Sequence, residues 1–159
     1  MILRLISVGK IREPFYRSGV GEYLRRIRPY CPIELVEGMD EKLSPRAGDR
    51  EVTAALNREG QRVLGMLKES ELLVALDARG CVLDSEGLAS WLERVLQSGR
   101  PRISFLVGGA AGLGEEVRRR ADCIFSLSVL TLPHQLAVLV LAEQLYRAFK
   151  IIRGEPYHR

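Results

Sequence analysis

The sequence predicts an α/β fold, with a mostly parallel sheet that helices cover on both faces. Short apolar segments typical of strands alternate along the chain with longer segments of helical periodicity. The 159 residues are 47% hydrophobic and 28% charged, the balance of an ordinary globular protein. This length predicts a single domain, 1–159, because a chain of this size builds one core. In such parallel sheets, ligands bind at the carboxyl ends of the strands.

Five strands are predicted where apolar residues cluster or alternate with polar ones. They are Ile2–Val8, Ile33–Glu37, Leu72–Leu76, Ile103–Val107 and Cys123–Leu127. The segment Met39–Asp49 contains Pro45 and Gly48 and has no apolar period, so it predicts an exposed loop.

Four helices are predicted between the strands. They are Phe15–Ile27, Glu51–Leu67, Ser85–Leu96 and Glu115–Arg120. The first follows Pro14, which suits a helix start, and ends before Pro29, which cannot continue a helix. Asp84 or Ser85 is the predicted cap of the third helix, because short polar side chains bond to free amides in the first turn.

The last predicted helix is the longest and runs to Ile152. Thr131 is its predicted cap and Pro133 lies in its first turn, while Gly154 and Pro156 end it. Its amino-terminal half has no clear polar face, since apolar side chains cover more than one side: Leu136, Leu139, Val140 and Leu141. We therefore expect part of this helix to pack against a second subunit, the alternative being a helix buried within one chain.

The sequence contains no motif for a membrane span, a disulfide or a metal site. Its longest apolar run is Leu136–Ala142, far below the roughly 18 residues that cross a bilayer. The amino terminus, interrupted by Arg4, predicts a strand and not a signal peptide, so we expect a cytoplasmic protein. The cysteines are odd in number and form no Cys-x-x-Cys, which predicts buried, reduced thiols at Cys31, Cys81 and Cys123.

Positive charge is concentrated at the two ends of the chain. Residues 1–30 contain seven basic and two acidic residues, and residues 145–159 contain four basic residues and one acidic residue. Most of the basic residues are arginine, whose planar guanidinium pairs well with phosphate. Two interpretations remain open, a solvated surface or a face that binds a polyanion.

Two segments follow predicted strands in a way that suits a ligand. Gly108–Gly114 is rich in glycine but lacks both the dinucleotide-binding spacing and the P-loop lysine, so it is either a tight turn or a ligand cradle. Leu127–Leu132 is an apolar loop whose backbone groups need partners. Such a loop suits a heteroaromatic ring, the alternative being a loop that only crosses the core.

Few side chains are candidates for acid–base chemistry. Of the two histidines, His134 is expected to be a structural residue of the first turn of the long helix. His158 instead lies between Tyr157 and Arg159 at the very end of the chain. Glu143 and Arg147 are one helical turn apart and predict an ion pair, which can be purely structural.

Several segments closely resemble the bacterial ribosomal RNA large subunit methyltransferase H family. The most specific are Val107–Leu113, Leu127–Leu136 and Glu143–Arg159, the last of which ends in Pro-Tyr-His-Arg. The similarity extends upstream to Val8–Lys10, Glu22–Arg26 and Leu76–Gly80, and so covers essentially the whole chain.

The resemblance implies a SPOUT-class α/β fold with a carboxyl-terminal trefoil knot, and an obligate homodimer. It implies methylation of N3 of a pseudouridine in 23S rRNA of the ribosome, with S-adenosylmethionine as methyl donor and no metal. It places the cofactor pocket at the following residues: Leu76, Gly108, Leu127, Ser128, Val129, Leu130, Thr131 and Leu132. The family usually has an arginine where this chain has Val138.

The resemblance places the substrate side at Arg147 and at the tail, Tyr157–Arg159, which is expected to reach across the dimer. We expect these tail residues to add little to the core. Since N3 must lose a proton before it attacks, we assign His158 as the leading proton acceptor, and Arg147 or Arg159 as the group that stabilises the anion.

Two other functions are kept open. The glycines alone favour a nucleotide-dependent oxidoreductase, and the basic ends favour a non-catalytic RNA-binding module. A module of that kind needs no methyl donor, so calorimetry with S-adenosylmethionine distinguishes it from the methyltransferase.

Overall fold

The computed structural model describes residues 1–159 and contains five parallel strands between two layers of helices. The strands are β1 (Ile2–Ser7), β2 (Ile33–Glu37), β3 (Leu72–Val82), β4 (Arg102–Val107) and β5 (Cys123–Ser126). The helices are α1 (Pro14–Ile27), α2 (Asp49–Met66), α3 (Ser85–Gln97), α4 (Glu115–Arg120) and α5 (His134–Ile152). The predicted α/β fold, with a parallel sheet covered by helices on both faces, is confirmed.

The order of strands in the sheet determines where a ligand can bind. It is β2-β1-β4-β3-β5, so the connection from β4 through α4 to β5 passes over β3. The carboxyl ends of β3, β4 and β5 therefore lie side by side. Loops that follow neighbouring parallel strands form the usual ligand crevice of such sheets.

Side chains that alternate along the sheet pack into two separate cores, one on each face. Leu3 and Leu5 lie in the larger core, with α1, α3 and α5, whereas Ile6 and Val8 lie in the smaller one, with α2 and α4. In the larger core α5 contacts both α1 and α3. One fully buried residue of α5, Leu145, contributes roughly 1.5–3 kcal/mol through removal of its side chain from water.

The start of α5 differs from the prediction. Its first residue is His134 and its N-cap is Pro133, with no side-chain cap, so the assignment of Thr131 as the cap is wrong. Residues 131–133 form no turn, and Pro133 has a ψ of 142°, so the helix begins only at His134. By contrast, the predicted cap of α3 is confirmed, because Asp84 accepts a hydrogen bond of 2.7 Å from the amide of Gly87.

Strand β3 is longer than predicted. After Leu76 its register with β5 shifts, and pairing resumes between Cys81 and Phe125. Gly80 makes this possible, because a Cβ atom there would lie 2.6 Å from the carbonyl carbon of Phe125. The local sequence cannot reveal this pairing, since it depends on a strand that comes about 40 residues later.

The cysteines do not share one environment. Cys31 is buried and burial raises the pKa of its thiol, but Cys81 is exposed and Cys123 is half-buried. The prediction of three buried thiols is therefore wrong for Cys81 and Cys123, and the extension of β3 explains the exposure of Cys81. None of the helices combines the length and the apolar character that crossing a membrane requires.

Candidate functional site

A cleft of about 700 Å³ opens where β3, β4 and β5 end. Its walls come from three segments that follow these strands, together with the first turns of α5. The segments are 76–78, 107–113 and 127–133. The cleft therefore lies at the edge of the sheet where the sequence predicts a ligand.

Most residues of the predicted cofactor pocket line this cleft. The seven that do are Leu76, Gly108, Leu127, Ser128, Leu130, Thr131 and Leu132. The eighth, Val129, is 84% exposed and is not part of the wall. Val138, where the resemblance implies an arginine, is only 1% exposed and belongs to the larger core.

The glycine-rich segment is both a tight turn and a wall of the cleft. The amide of Gly112 donates to the carbonyl of Gly109 at 3.1 Å, and Gly112 adopts a φ of 84°. A Cβ atom on Gly108 would lie 2.6 Å from the carbonyl oxygen of Gly112. Only glycine at 108 allows the two halves of this turn to approach so closely.

The apolar loop before α5 keeps its backbone available. No backbone–backbone hydrogen bond joins residues 128–132 to another segment. Two serine hydroxyls shape the loop: Ser126 donates to the carbonyl of Ser128, and Ser128 accepts from the amide of Leu130, both at 2.9 Å. Main-chain groups at Thr131 and Leu132 can therefore bond to the edge of a heteroaromatic ring that packs between the apolar walls.

Asp77 joins two walls of the cleft, a role that the sequence did not predict. Its carboxylate pairs with Arg118 of α4 and accepts a hydrogen bond of 2.9 Å from the amide of Arg79. Arg118 also donates to the carbonyl of Leu113 at 3.2 Å. Burial raises the pKa of Asp77, but the bonds from Arg79 and the charge of Arg118 outweigh it, so the pKa is lowered. The only local signal was an acidic residue directly after a predicted strand.

His134 lies in the wall of the cleft and also has a structural contact. Its Nε2 is 3.2 Å from the carbonyl oxygen of Lys10. A Cβ atom on Gly9 would lie 2.6 Å from the same nitrogen, so only glycine leaves room for the imidazole. The segment after β1 and the first turn of α5 are therefore held together beside the cleft.

The chain folds back on itself after α5. Gly154 has a φ of 63°, which reverses the direction of the chain, and the hydroxyl of Tyr157 then donates to Oε1 of Glu143 at 3.1 Å. The Tyr157 ring is 4.9 Å from that of Tyr146, and its centroid is 4.7 Å from the guanidinium of Arg147. Burial, followed by hydrogen bonding, raises the pKa of Tyr157. The expectation that the tail adds little to packing is wrong for Tyr157, which is half-buried.

Three of the four predicted catalytic residues meet in this cluster. Arg147 donates to Oε1 of Glu143 through Nη2 at 2.6 Å and Nε at 3.1 Å, which confirms the predicted ion pair. The Nη1 atom of Arg147 is 3.3 Å from Nδ1 of His158, whose Nε2 is 3.7 Å from Glu86. Arg159 is exposed and forms no ion pair.

The cluster and the cleft are separated along α5. Ala137 lines the cleft, and Arg147 follows about 15 Å further along the helix at 1.5 Å per residue. Between them lies a cavity of about 330 Å³, and Ser85 and Gln144 are among the residues that line it. Ser85 donates to Gln144 at 2.7 Å, and Gln144 donates to Glu143 at 2.7 Å, so a polar chain connects this cavity to the tail.

Comparison with known proteins identifies the family. A family model described as a predicted SPOUT methyltransferase matches residues 1–158. The chain belongs to this SPOUT methyltransferase family. This membership confirms the methyltransferase hypothesis over the two alternatives, a nucleotide-dependent oxidoreductase and a non-catalytic RNA-binding module.

Relatives agree with the SPOUT assignment. The chain is 52% identical over 159 residues to the ribosomal RNA large subunit methyltransferase H of Syntrophomonas wolfei. It is 45% identical over the same length to the protein of that name from Acetivibrio thermocellus, and both alignments cover 100% of each chain. The crystal structure of a probable methyltransferase from Bordetella pertussis Tohama I matches the fold, with a TM-score of 0.52 and 18% identity over 92% of this chain and 95% of that one.

Proposed function

We propose that this protein transfers a methyl group from S-adenosylmethionine to N3 of a pseudouridine in 23S rRNA of the assembled ribosome. The observation that carries the proposal is the cleft at the ends of β3, β4 and β5 in a chain of this family. The names of its full-length relatives support a substrate in large-subunit rRNA. Such a substrate places the action of the enzyme in the cytoplasm.

The residues of the cleft fit the proposed cofactor. Leu76, Leu127 and Leu132 supply apolar walls, and the loop 128–132 has backbone groups free for the edge of an adenine ring. Gly108 and Gly112 bring backbone close to the space between the walls. When bound there, S-adenosylmethionine supplies a sulfonium-activated methyl group for in-line displacement.

The tail cluster supplies groups suited to the nucleophile. The N3–H of pseudouridine is weakly acidic, so a cation beside the developing anion and a proton acceptor both favour the reaction. Two hydrogen bonds from Nε and Nη2 to Glu143 fix the guanidinium of Arg147, and its Nη1 atom faces His158. Because guanidinium only donates hydrogen bonds, Nδ1 of His158 accepts here, and His158 can take a proton only after this contact opens. Arg159 is free to bind a phosphate of the substrate.

A homodimer would bring the two parts of the active site together. In one chain the cluster lies about 15 Å along α5 from the cleft, too far for direct transfer between them. Exposed apolar side chains lie in the loop before α5 and at the start of the adjoining α1, namely Val129, Leu130 and Phe15. A second copy that covers them would place the tail of one chain beside the cleft of the other.

The test is methyl transfer to ribosomes that lack the modification. Purified protein and labelled S-adenosylmethionine should give one methyl group per large subunit, on N3 of a single pseudouridine, as mapped by mass spectrometry of nuclease fragments. Calorimetry should give binding of S-adenosylmethionine at about one site per chain. Label on another base, or binding of the cofactor without transfer to ribosomes, would contradict the proposed substrate.

A further inference from the structure

Two cations lie on the segment that joins β1 to α1, whose backbone contacts His134 in the wall of the cleft. Lys10 and Arg12 are both exposed and neither forms an ion pair. The stem of Lys10 lies against Gly38. Burial raises the pKa of the neighbouring Glu37, but hydrogen bonds and the charges of Arg17 and Lys10 outweigh it, so the pKa is lowered. The Glu37 carboxylate itself bonds to Arg17 at 2.8 Å and to the amide of Ile11 at 3.0 Å. Neither the ammonium of Lys10 nor the guanidinium of Arg12 is held in an ion pair, so both charges can bind a partner.

The backbone that carries these cations is fastened to the wall of the cleft. Nε2 of His134 contacts the carbonyl oxygen of Lys10 at 3.2 Å. The next residue of α5, Gln135, accepts hydrogen bonds from the amides of Arg12 at 2.7 Å and Glu13 at 3.0 Å. Since His134 is part of the wall, the backbone of Lys10 and Arg12 is held at a defined distance from the margin of the cleft.

We propose that Lys10 and Arg12 form a phosphate-binding rim that holds the RNA backbone next to the target nucleotide. This rests on the proposed function, because it requires an RNA substrate. Lysine and arginine contacts to phosphates fix the register of a nucleic acid without reading its sequence. A nucleotide whose base must leave its stack and enter a cleft needs its neighbouring phosphates held at the margin.

The test compares two double variants that remove the same charge. One carries Lys10→Gln with Arg12→Gln, and the matched control carries Arg28→Gln with Arg94→Gln. Arg28 and Arg94 are also exposed and without an ion pair. Arg28 directly follows α1 and Arg94 lies in the last turn of α3, so both lie at the amino ends of the strands, opposite the cleft. Full-length proteins are compared for affinity to 23S rRNA by filter binding, for kcat and KM on ribosomes, and for affinity to S-adenosylmethionine.

The rim variant should bind 23S rRNA roughly tenfold more weakly and raise KM by a similar factor, with kcat and cofactor affinity unchanged. The slope of log K against log salt should shrink by about 0.7 for each phosphate that the variant no longer neutralises. The control should change rRNA affinity less than twofold, and the variant Lys10→Arg with Arg12→Lys should retain wild-type binding.

Three results would each overturn the proposed rim: an equal decrease of rRNA affinity in both double variants, an unchanged salt slope in the rim variant, or weaker cofactor binding by that variant. So would a change of the rim variant from dimer to monomer in light scattering, since that would place both residues in a subunit contact. Filter binding requires no methyl transfer. Failure of the wild-type protein to methylate ribosomes would therefore refute the proposed substrate, whereas failure of the rim appears only in the comparison of variants.

Discussion

The hydroxyl of Tyr157 lies 3.1 Å from Oε1 of Glu143, the oxygen that also binds Arg147. The reversal at Gly154 brings the tail back along α5 to reach this carboxylate. The other oxygen, Oε2, accepts from Gln144 at 2.7 Å. One partly buried carboxylate therefore orients two of the side chains that we assign to the substrate.

Replacement of Glu143 by glutamine should lower kcat on ribosomes by up to about 100-fold, the cost of a small misplacement of a reacting group. Affinity for S-adenosylmethionine should stay within twofold, because Glu143 does not line the cleft. Glu115→Gln is the control, since Glu115 pairs with Arg119 on the exposed face of α4, in the other layer of helices. Equal kcat for the Glu143 variant and the wild type would remove Glu143 from the active site.

Replacement of Gly108 by alanine should weaken binding of S-adenosylmethionine by about tenfold or more, because the added Cβ atom would lie 2.6 Å from the Gly112 carbonyl and open the turn. Calorimetry measures the effect. Gly65→Ala is the matched control: a Cβ atom there meets nothing within 4 Å, and alanine is the better helix former by up to about 1 kcal/mol. This control should bind cofactor normally and unfold at a slightly higher temperature, whereas normal binding by the Gly108 variant would place the cofactor elsewhere.

The sequence predicted the sheet well because its evidence is local. Apolar segments bounded by turns located all five strands, and alternation with helices indicated their parallel arrangement. The continuation of β3 past Leu76 was missed because it depends on pairing with β5. Tertiary contact decides that pairing, and no periodicity of the segment itself records it.

The candidate site was predicted only in part for the same reason. Resemblance located Gly108 and the loop before α5, but the pair of Asp77 with Arg118 joins β3 to α4 and has no local signature. Arg118 stands in a run of three arginines that is typical of a solvated helix face. The fold-back of Tyr157 depends on Gly154 and on a carboxylate three turns earlier in α5, a combination that spacing alone does not predict.

Replacement of Glu59 by glutamine should stabilise the protein at neutral pH. Glu59 is 8% exposed and lies behind the glycine turn, and burial, followed by repulsion from Asp40 and Glu41, raises the pKa of its carboxyl above the ordinary 4.5. When the pKa of a carboxyl is higher in the folded than in the unfolded protein, the group contributes fully to the free energy of unfolding at pH values below its pKa in the unfolded protein. That contribution is lost as pH rises through its pKa in the folded protein. Glutamine retains the oxygen that accepts from the Glu41 amide at 2.9 Å, without the charge.

The measurement is urea unfolding of wild type and variant at several pH values. The advantage of the variant should grow as pH rises from 4.5 and then level off. Glu93→Gln should show no such growth, because Glu93 lies on the exposed face of α3. A constant difference across this range would mean that Glu59 is ionised with no penalty in the folded state.

Light scattering at micromolar concentration should give twice the chain mass of 17.8 kDa. Val129→Asp should shift the protein towards monomer, because a carboxylate would be buried in the proposed contact. Val82 is 63% exposed but lies at the end of β3, so Val82→Asp should leave the dimer intact. A wild-type monomer, or equal behaviour of the two variants, would contradict a dimer through the loop before α5.

Stepwise deletion of the tail separates its packing role from its catalytic role. Removal of His158 and Arg159 should hardly change the unfolding temperature or cofactor affinity, since both are exposed. It should lower methylation of ribosomes by about 100-fold or more, the usual scale for loss of a general base. Further removal of Tyr157 should also lower the unfolding temperature, because its ring packs on Tyr146 and its hydroxyl bonds to Glu143. If the shorter deletion methylates ribosomes at the full rate, neither His158 nor Arg159 takes part in catalysis, and Arg147 is left as the only cation assigned to the anion at N3.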